Sequence, residues 1–170
     1  NGNVLFVGDV HGQSYLFKVS VKTGALVTVA GGASQVLTAS YDADGKRAVA
    51  VISTPESPGD LVLIDLEHGS ETKLTDYNRE YLDSHPPGRM EKFSTARTGK
   101  EIESRVVFPP DFDQTGHYPL VVDIHGGPHG RFWDAFDPTH QILASAGYVV
   151  LAANPRGTSS YGPEFAKAVL

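Results

Sequence analysis

The sequence predicts an all-β repeat region followed by an α/β region. Three observations lead to this fold class. Short β-branched runs repeat in the first half of the chain, the pattern lapses in a proline-rich stretch near residue 88, and a strand–helix–strand order follows residue 118. Runs that are rich in β-branched residues and bounded by turn residues are typical of strands, whereas strands that alternate with helices indicate a parallel sheet.

The repeat has an offset of 45 residues, with VLFV at 4–7 aligned on VAVI at 49–52 and residues 15–24 aligned on residues 60–69. Gly24 and Gly69 end the second pair of segments, and glycine supplies the positive φ that tight hairpins need. Four short strands in about 40–50 residues is the size of one propeller blade. We therefore predict that residues 1–88 are the C-terminal blades of a partial β-propeller, with a generic antiparallel β-domain as the alternative.

The second region, residues 89–170, begins after the linker HPPG at 85–88. Residues 90–96 and 101–108 predict a hairpin. The nearly continuous apolar run over 119–125 predicts a buried parallel strand, and residues 148–153 predict a second one.

A helix is predicted between these two strands. Asp137 is a good N-cap, Pro138 fits the first helical position and Gly147 suits the C-terminal end. An apolar stripe is expected on this helix from Phe136, Ile142, Leu143 and Ala146. A further helix is expected to begin at Pro163. Because the chain starts with Asn1 and this last helix pattern stops after about two turns, we expect the chain to be a fragment.

Composition excludes several classes of function. The 170 residues carry 14 Lys and Arg against 20 Asp and Glu, a net charge of -6, which argues against nucleic acid as a partner. No apolar run approaches the roughly 18 residues of a membrane span, and no signal-peptide pattern is present. The absence of Cys excludes disulfides, thiolate catalysis and Cys-ligated metals. We expect no cofactor and no metal, and the compartment stays open, with the cytoplasm slightly favoured over the periplasm or secretion.

The chemistry is expected in two loops that follow the predicted parallel strands, residues 125–130 (HGGPHG) and residues 154–162 (NPRGTSSYG), because ligands of open α/β sheets bind at the carboxyl ends of strands. Tandem glycines let a ligand approach the backbone. An HGGG-like motif supplies a backbone N–H to the oxyanion hole of α/β-hydrolases. Pro128 has no N–H, so the donor is Gly126 or Gly127, and we favour Gly127.

Four motifs, PPDF at 109–112, YPL at 118–120, HGGPH at 125–129 and NPRG at 154–157, resemble in order and spacing the prolyl oligopeptidase family of serine peptidases. The acylaminoacyl-peptidase-like branch resembles the chain most. The resemblance implies β-propeller blades followed by the N-terminal part of an α/β-hydrolase domain, and a short peptide as substrate that is cleaved through an acyl-enzyme. It also implies that the catalytic Ser, Asp and His lie downstream of this chain.

No G-x-S-x-G nucleophile elbow is present, so the chain alone is expected to be inactive. The resemblance, together with the spacing of hydrolase strands, implies this motif within about 60–90 residues after Leu170. Ser159 and Ser160 are interpreted as solvated loop residues.

Three residues are candidates for substrate binding: Asn154, Arg156 and His129. A structural role is favoured for the first two, with Arg156 holding its loop to carbonyls or a carboxylate. The ring of His125 is expected to bond a neighbouring loop, and Phe132 is expected to pack against its own loop.

Two other functions remain as alternatives. The GDVHG run at 8–12 resembles a metal-binding motif of metal-dependent phosphoesterases, but the further motifs of that class are missing from the chain and the offset of the repeat places the run at a hairpin turn. A non-catalytic propeller module that binds a partner would lack the downstream serine motif. Self-association into a homo-oligomer is left open.

Overall fold

The structure is a computed structural model that describes residues 2–97, 99–127 and 129–169. Asn1, Thr98, Pro128 and Leu170 lie outside the described residues. The chain forms two compact units. The first comprises residues 1–80 with residues 133–135, and the second comprises residues 81–132 with residues 136–170. The predicted division of the chain at residues 88 and 89 stays a prediction.

The first unit contains two antiparallel sheets. One has the order β1-β2-β3, and the other has the order β4-β5-β6-β7. The strand bounds are β1 Asn3–Val10, β2 Gln13–Ser20, β3 Leu26–Gly32, β4 Gln35–Tyr41, β5 Arg47–Thr54, β6 Ser57–Asp65 and β7 Glu71–Lys73.

The two sheets reproduce the repeat that the sequence predicts. Strands β1 and β2 pair from Asn3 opposite Ser20 to Val10 opposite Gln13, and β5 pairs with β6 in the same antiparallel sense. The turn between β1 and β2 consists of His11 and Gly12, with φ of 54° and 71°. Two consecutive positive φ values fit a tight type I′ hairpin turn.

One apolar cluster holds the first unit together and draws on strands from both sheets. Period-2 alternation directs one face of each strand inward, so the cluster alternates with more exposed positions along the chain. Its most deeply buried members are Leu16, Ala48, Ala50, Ile64 and Leu66.

The second unit contains a mixed sheet of order β10-β11-β9-β8. Its elements, with a helix that precedes the sheet, are α1 Arg79–Ser84, β8 Met90–Arg97, β9 Lys100–Val107, β10 Leu120–Asp123, α2 Pro138–Ser145, β11 Val149–Asn154, α3 Pro163–Ala166 and a short 3₁₀ turn Lys167–Val169. The expected hairpin β8–β9 is confirmed by its antiparallel pairing.

The strand–helix–strand prediction is also confirmed. Strand β10 pairs in parallel with β11, and helix α2 lies between them in the chain. The side chain of Asp137 caps α2 by accepting hydrogen bonds from the amides of Thr139 and His140, and Gly147 has a φ of 89°. The cap therefore satisfies two of the amides that a helix N-terminus leaves without partners.

Two burial expectations are wrong. Strand β10 is an edge strand whose Leu120 is 58% exposed, so in this chain it is not buried on both faces. The prediction of an apolar stripe on α2 is also wrong, because Ile142 is 70% exposed whereas His140 and Gln141 are buried. These polar residues occupy the inner face because each has a specific hydrogen-bond partner there, as buried polar groups require.

Candidate active site

The two loops singled out by the sequence follow neighbouring strands of one sheet. Strand β10 ends at Asp123 and the parallel strand β11 ends at Asn154, so residues 125–130 and 154–162 emerge at the same edge. Antiparallel strand β9 lies on the other side of β11 and places Glu103 opposite Asn154. The carboxyl end of parallel strands is where α/β sheets bind ligands.

The tandem glycines form an open part of the first loop. Gly126 and Gly127 are both exposed, and Gly127 has a φ of +62°. A Cβ atom built on either glycine would meet no heavy atom within 4 Å. Among the residues that the structure describes, no hydrogen bond uses the amide of Gly126 or of Gly127. Two backbone donors are therefore accessible to a ligand.

Gly130 closes the loop by a close backbone approach. A Cβ atom at this position would lie 2.3 Å from the carbonyl oxygen of Gly126 and 3.0 Å from Nδ1 of His125. The first distance is shorter than real Cβ atoms show and the second is tighter than most, so the bend requires glycine here.

Histidines connect the first loop to the second. His125 Nε2 lies 2.9 Å from the Thr158 hydroxyl oxygen, which confirms that this ring bonds the neighbouring loop. His129 Nδ1 donates to the carbonyl oxygen of Gly157 at 2.9 Å, while the residue itself is exposed. Because a carbonyl only accepts, the proton of the neutral His129 ring is on Nδ1.

Ser159 makes the third connection between the loops. Its hydroxyl accepts from the guanidinium of Arg131 at 2.7 Å and donates to the carbonyl oxygen of His129 at 2.8 Å. Ser159 is therefore a partly exposed loop residue, as expected, but its hydroxyl has two protein partners in addition. Sequence reasoning missed this because its partners lie 28 and 30 residues away in the chain.

Asn154 is completely buried and holds the first loop at Phe132. Its Oδ1 accepts from the Phe132 amide at 2.8 Å, and its Nδ2 donates to the Phe132 carbonyl at 3.1 Å. Nδ2 also donates to the hydroxyl oxygen of Tyr161 at 2.8 Å. The structure thus places this candidate among the supports of the loops, which is the role that the sequence favoured for it.

The hydroxyl of Tyr161 donates to Oε1 of Glu103 at 2.5 Å. Burial, and next this hydrogen bond to a carboxylate, raise the pKa of Tyr161 to about 12. The Glu103 carboxylate is paired with the guanidinium of Arg105 at 2.9 Å and with the ammonium of Lys92 at 3.4 Å. A chain of polar contacts therefore runs from two cations to the backbone of Phe132.

Sequence reasoning did not find a second polar pair, between buried His140 and half-buried Asp123. His140 Nε2 lies 2.8 Å from Oδ2 of Asp123, which joins helix α2 to the end of β10. The ring of Phe132 lies between the rings of His125 and His140, with centroid distances of 5.4 and 5.5 Å. The packing role expected for Phe132 agrees with these contacts. The pattern that could have indicated the pair is a carboxylate at a strand end followed by a histidine in the first turn of the next helix.

Arg156 is exposed in the second loop. Within the described part of the chain its guanidinium has no hydrogen bond or ion pair, so the anchoring of its loop to a carbonyl or carboxylate is not observed. The guanidinium of Arg156 is therefore accessible to a ligand.

The GDVHG run lies at the β1–β2 hairpin. Asp9 belongs to β1 and its carboxylate accepts from the Ser14 hydroxyl at 3.1 Å, while His11 belongs to the turn. Among the described residues no three His, Cys, Asp or Glu side chains are grouped so that they could bind a metal ion. In the same residues, no helix has the length and apolar character needed to cross a bilayer.

Comparison with known proteins shows which family the chain resembles. The model of the prolyl oligopeptidase family matches residues 134–170. The predicted resemblance to the prolyl oligopeptidase family is confirmed. Among curated relatives, the uncharacterized peptidase YuxL of Bacillus subtilis is 28% identical over 164 residues, which is 96% of this chain and 25% of that protein. Dipeptidyl-peptidase 5 of Porphyromonas endodontalis is 27% identical over 94% of this chain and 23% of its own length.

Solved structures agree with this family. The acylaminoacyl peptidase of Pyrococcus horikoshii superposes on the whole chain with a TM-score of 0.88 at 28% identity, and the match covers 26% of that protein. An acylaminoacyl peptidase in complex with Z-Gly-Gly-Phe-chloromethyl ketone matches with the same score, identity and coverage. The chain thus spans about a quarter of the length of the relatives that it matches.

Proposed function

We propose that this chain is part of a serine peptidase of the prolyl oligopeptidase type and that it supplies the oxyanion-binding loop. In this proposal the two sheets of the first unit are propeller blades, and the second unit is the N-terminal part of an α/β-hydrolase domain. The nucleophilic serine, its histidine base and the acid belong to polypeptide beyond Leu170.

The observation that carries the proposal is the pair of accessible amides at Gly126 and Gly127. They follow β10 at the carboxyl edge of the sheet, in a loop that hydrogen bonds brace against residues 154–162. Both glycines are exposed and their amides have no partner among the described residues, so both amides can donate to a ligand oxygen in place of water. The positive φ of Gly127 directs its backbone differently from that of a regular strand end.

The chemistry is acyl transfer. The serine oxygen attacks the scissile carbonyl carbon while the histidine takes the serine proton, and the carbonyl oxygen becomes negatively charged. The Gly127 N–H donates to this oxygen. As the C–N bond breaks, the histidine returns the proton to the leaving amine, and water later releases the acyl group by the same steps. Removal of one such donor lowers kcat by about 10²–10³-fold in comparable enzymes.

The substrates are short peptides cleaved in the manner of an acylaminoacyl- or dipeptidyl-peptidase. The exposed guanidinium of Arg156 donates to a carbonyl or carboxylate of the peptide. Exposed His129, which belongs to the glycine loop, lies at the entrance of the proposed active site. Asn154 is completely buried, so we assign it to the support of the loop and not to contact with the peptide.

The test uses the full-length protein that contains this chain. A fluorophosphonate probe should label one serine outside residues 1–170, and either acetyl-Ala-p-nitroanilide or Ala-Ala-p-nitroanilide should be hydrolysed. Gly127→Val should lower kcat by about 10²–10³-fold with a much smaller change in KM, because the oxyanion forms only in the transition state. The matched control is Gly45→Val, because Gly45 has a similar φ of +66° and open space around it, in the first unit.

Three results would contradict the proposal. They are an equal loss of kcat in the Gly45 control, a change confined to KM in the Gly127 variant, and labelling at Ser159 or Ser160. Failure of the probe to label the protein, together with no hydrolysis of either anilide, would favour the non-catalytic binding module.

A further inference from the structure

We propose that Asn154 is a positioning residue for the Gly127 amide, and that Tyr161 and Glu103 fix the orientation in which it acts. This inference rests on the proposed function, since it concerns the same oxyanion-binding loop. The path runs from Glu103 on β9, through Tyr161 and Asn154, to the backbone of Phe132.

The starting point of this path is a carboxylate that is itself held in place. Glu103 is buried, and its two oxygens are paired with Arg105, whose side chain is 2% exposed, and with Lys92. Glu103 also lies directly opposite Asn154 in the register of β9 and β11. The oxygens of a carboxylate paired with two cations act as hydrogen-bond acceptors towards their neighbours.

Tyr161 bonds this carboxylate and thereby favours one orientation of the Asn154 side-chain amide. Its single hydroxyl proton is donated to Glu103 at 2.5 Å, so the oxygen is left to accept from a neighbour. Asn154 therefore directs its NH₂ group towards Tyr161, at 2.8 Å. The opposite amide orientation would place the Asn154 oxygen against both the Tyr161 oxygen and the Phe132 carbonyl and the NH₂ group against the Phe132 N–H, which would lose all three hydrogen bonds.

Once oriented, Asn154 holds both backbone groups of Phe132. Phe132 lies five residues after Gly127, and its ring is enclosed by His125 and His140. The other end of the loop is anchored where β10 ends at Asp123. Between these anchors, His125 and His129 also bond residues 157 and 158, so Asn154 acts together with them to set where the Gly127 N–H lies.

The expected effect follows from the geometry of catalysis. A displacement of about 1 Å at a reacting group lowers the rate by about 10²-fold, although the bound substrate loses little. Asn154→Asp keeps the shape of the side chain but replaces the NH₂ donor with an oxygen that faces the Phe132 carbonyl. Tyr161→Phe removes one hydroxyl and with it one of the three hydrogen bonds that orient the Asn154 amide.

The experiment measures kcat and KM of the full-length protein on the p-nitroanilide that the wild type hydrolyses, together with inhibition by a peptide aldehyde. We expect kcat to fall by about 10²-fold in Asn154→Asp and by up to about tenfold in Tyr161→Phe, with KM little changed. The aldehyde forms a tetrahedral adduct, so its affinity should fall by the same factor as kcat/KM.

The chain offers a matched control in Gln141→Glu. Gln141 is also a buried amide that holds both backbone groups of one residue, Gly88, at 2.6 and 3.1 Å, but it lies outside the two loops. We expect this variant to lower the melting temperature by an amount similar to Asn154→Asp and to leave kcat and aldehyde affinity unchanged.

Each outcome decides between explanations. If the wild type is active and Asn154→Asp matches the control in both stability and kcat, Asn154 is only structural and the inference is overturned. If Asn154→Asp does not fold, Tyr161→Phe tests the inference in its place. A lower kcat with an unchanged KM supports the positioning role, and an unchanged kcat overturns it. If the wild type neither reacts with the fluorophosphonate probe nor cleaves either anilide, the proposed function fails first and the positioning role fails with it.

Discussion

Asn154 pairs with Phe132 as one strand residue pairs with another, through an amide at 2.8 Å and a carbonyl at 3.1 Å. A side-chain amide here takes the place of a missing backbone partner. Gln141 does the same for Gly88. Both amides are buried, and both satisfy backbone groups that would otherwise lose hydrogen bonds away from water.

The first prediction concerns Gly130. In Gly130→Ala the new methyl would collide with the Gly126 carbonyl at 2.3 Å, so the loop must move. We expect a loss of stability of about 1–3 kcal/mol, which is typical of overpacking, and a lower kcat in the full-length protein. Thermal unfolding and anilide hydrolysis measure the two effects.

Gly126→Ala is the control for stability at this bend, because a Cβ there would meet no heavy atom within 4 Å and φ is not positive. We expect its melting temperature to equal that of the wild type. Equal stability of Gly130→Ala and Gly126→Ala would show that the bend has room for a side chain.

The second prediction concerns the pH dependence of stability at Tyr161. Burial, followed by the hydrogen bond to Glu103, raises the pKa of Tyr161 to about 12 in the folded protein, from about 10 in the unfolded chain. The folded state then binds the phenol proton more tightly, so the stabilisation is complete below pH 10 and is lost as the pH rises towards 12.

Urea unfolding between pH 9 and 12 tests this, with tyrosinate absorbance as a second measurement. Stability should fall with pH more steeply in the wild type than in Tyr161→Phe. Tyr77→Phe removes an exposed phenol and is the control, and it should behave as the wild type does. Identical slopes in all three proteins would mean that Tyr161 is not buried against Glu103.

The third prediction concerns acid sensitivity in the first unit. Burial acts to raise the pKa of Asp60, but hydrogen bonds from Lys73, Thr75 and the Tyr77 amide outweigh it and hold this pKa below its ordinary value. A carboxyl with a lowered folded pKa stabilises the protein above its unfolded pKa of about 3.9, and this stabilisation is lost as the pH falls below that value.

Asp60→Asn should therefore reduce the local stability of residues 60–77 at pH 7 by about 1.5 kcal/mol, the low end for a charged hydrogen bond, because Lys73 is half exposed. The variant should also lose less stability than the wild type between pH 5 and 3. Amide hydrogen exchange in the full-length protein measures both effects. Asp111→Asn, at an exposed turn, is the control, and an equal acid response of the two variants would contradict the assignment.

Much of the fold could be predicted because its signals are local. The cap at Asp137 and the alternation along β1, β2, β5 and β6 depend on residues within one element or one turn, so the sequence carries them directly. The exposure of Ile142 and the edge position of β10 could not be predicted, because they depend on which elements lie against them in space.

The site divides in the same way. The glycine pair, its position after a strand and its family likeness were readable from the motif at residues 125–129. The pairs His140–Asp123 and Tyr161–Glu103 join residues 17 and 58 positions apart, and only the first has a local pattern that could have indicated it.

The strand repeat, the strand–helix–strand unit and the type of loop that follows it could be predicted from the sequence alone, since backbone preference and hydrophobic period act over a few residues. The contacts by which Asn154, Tyr161 and Glu103 support that loop are visible only in the folded chain. The physical reason is that a buried polar side chain must find its partners wherever the folded chain places them, and those partners lie on different strands and loops.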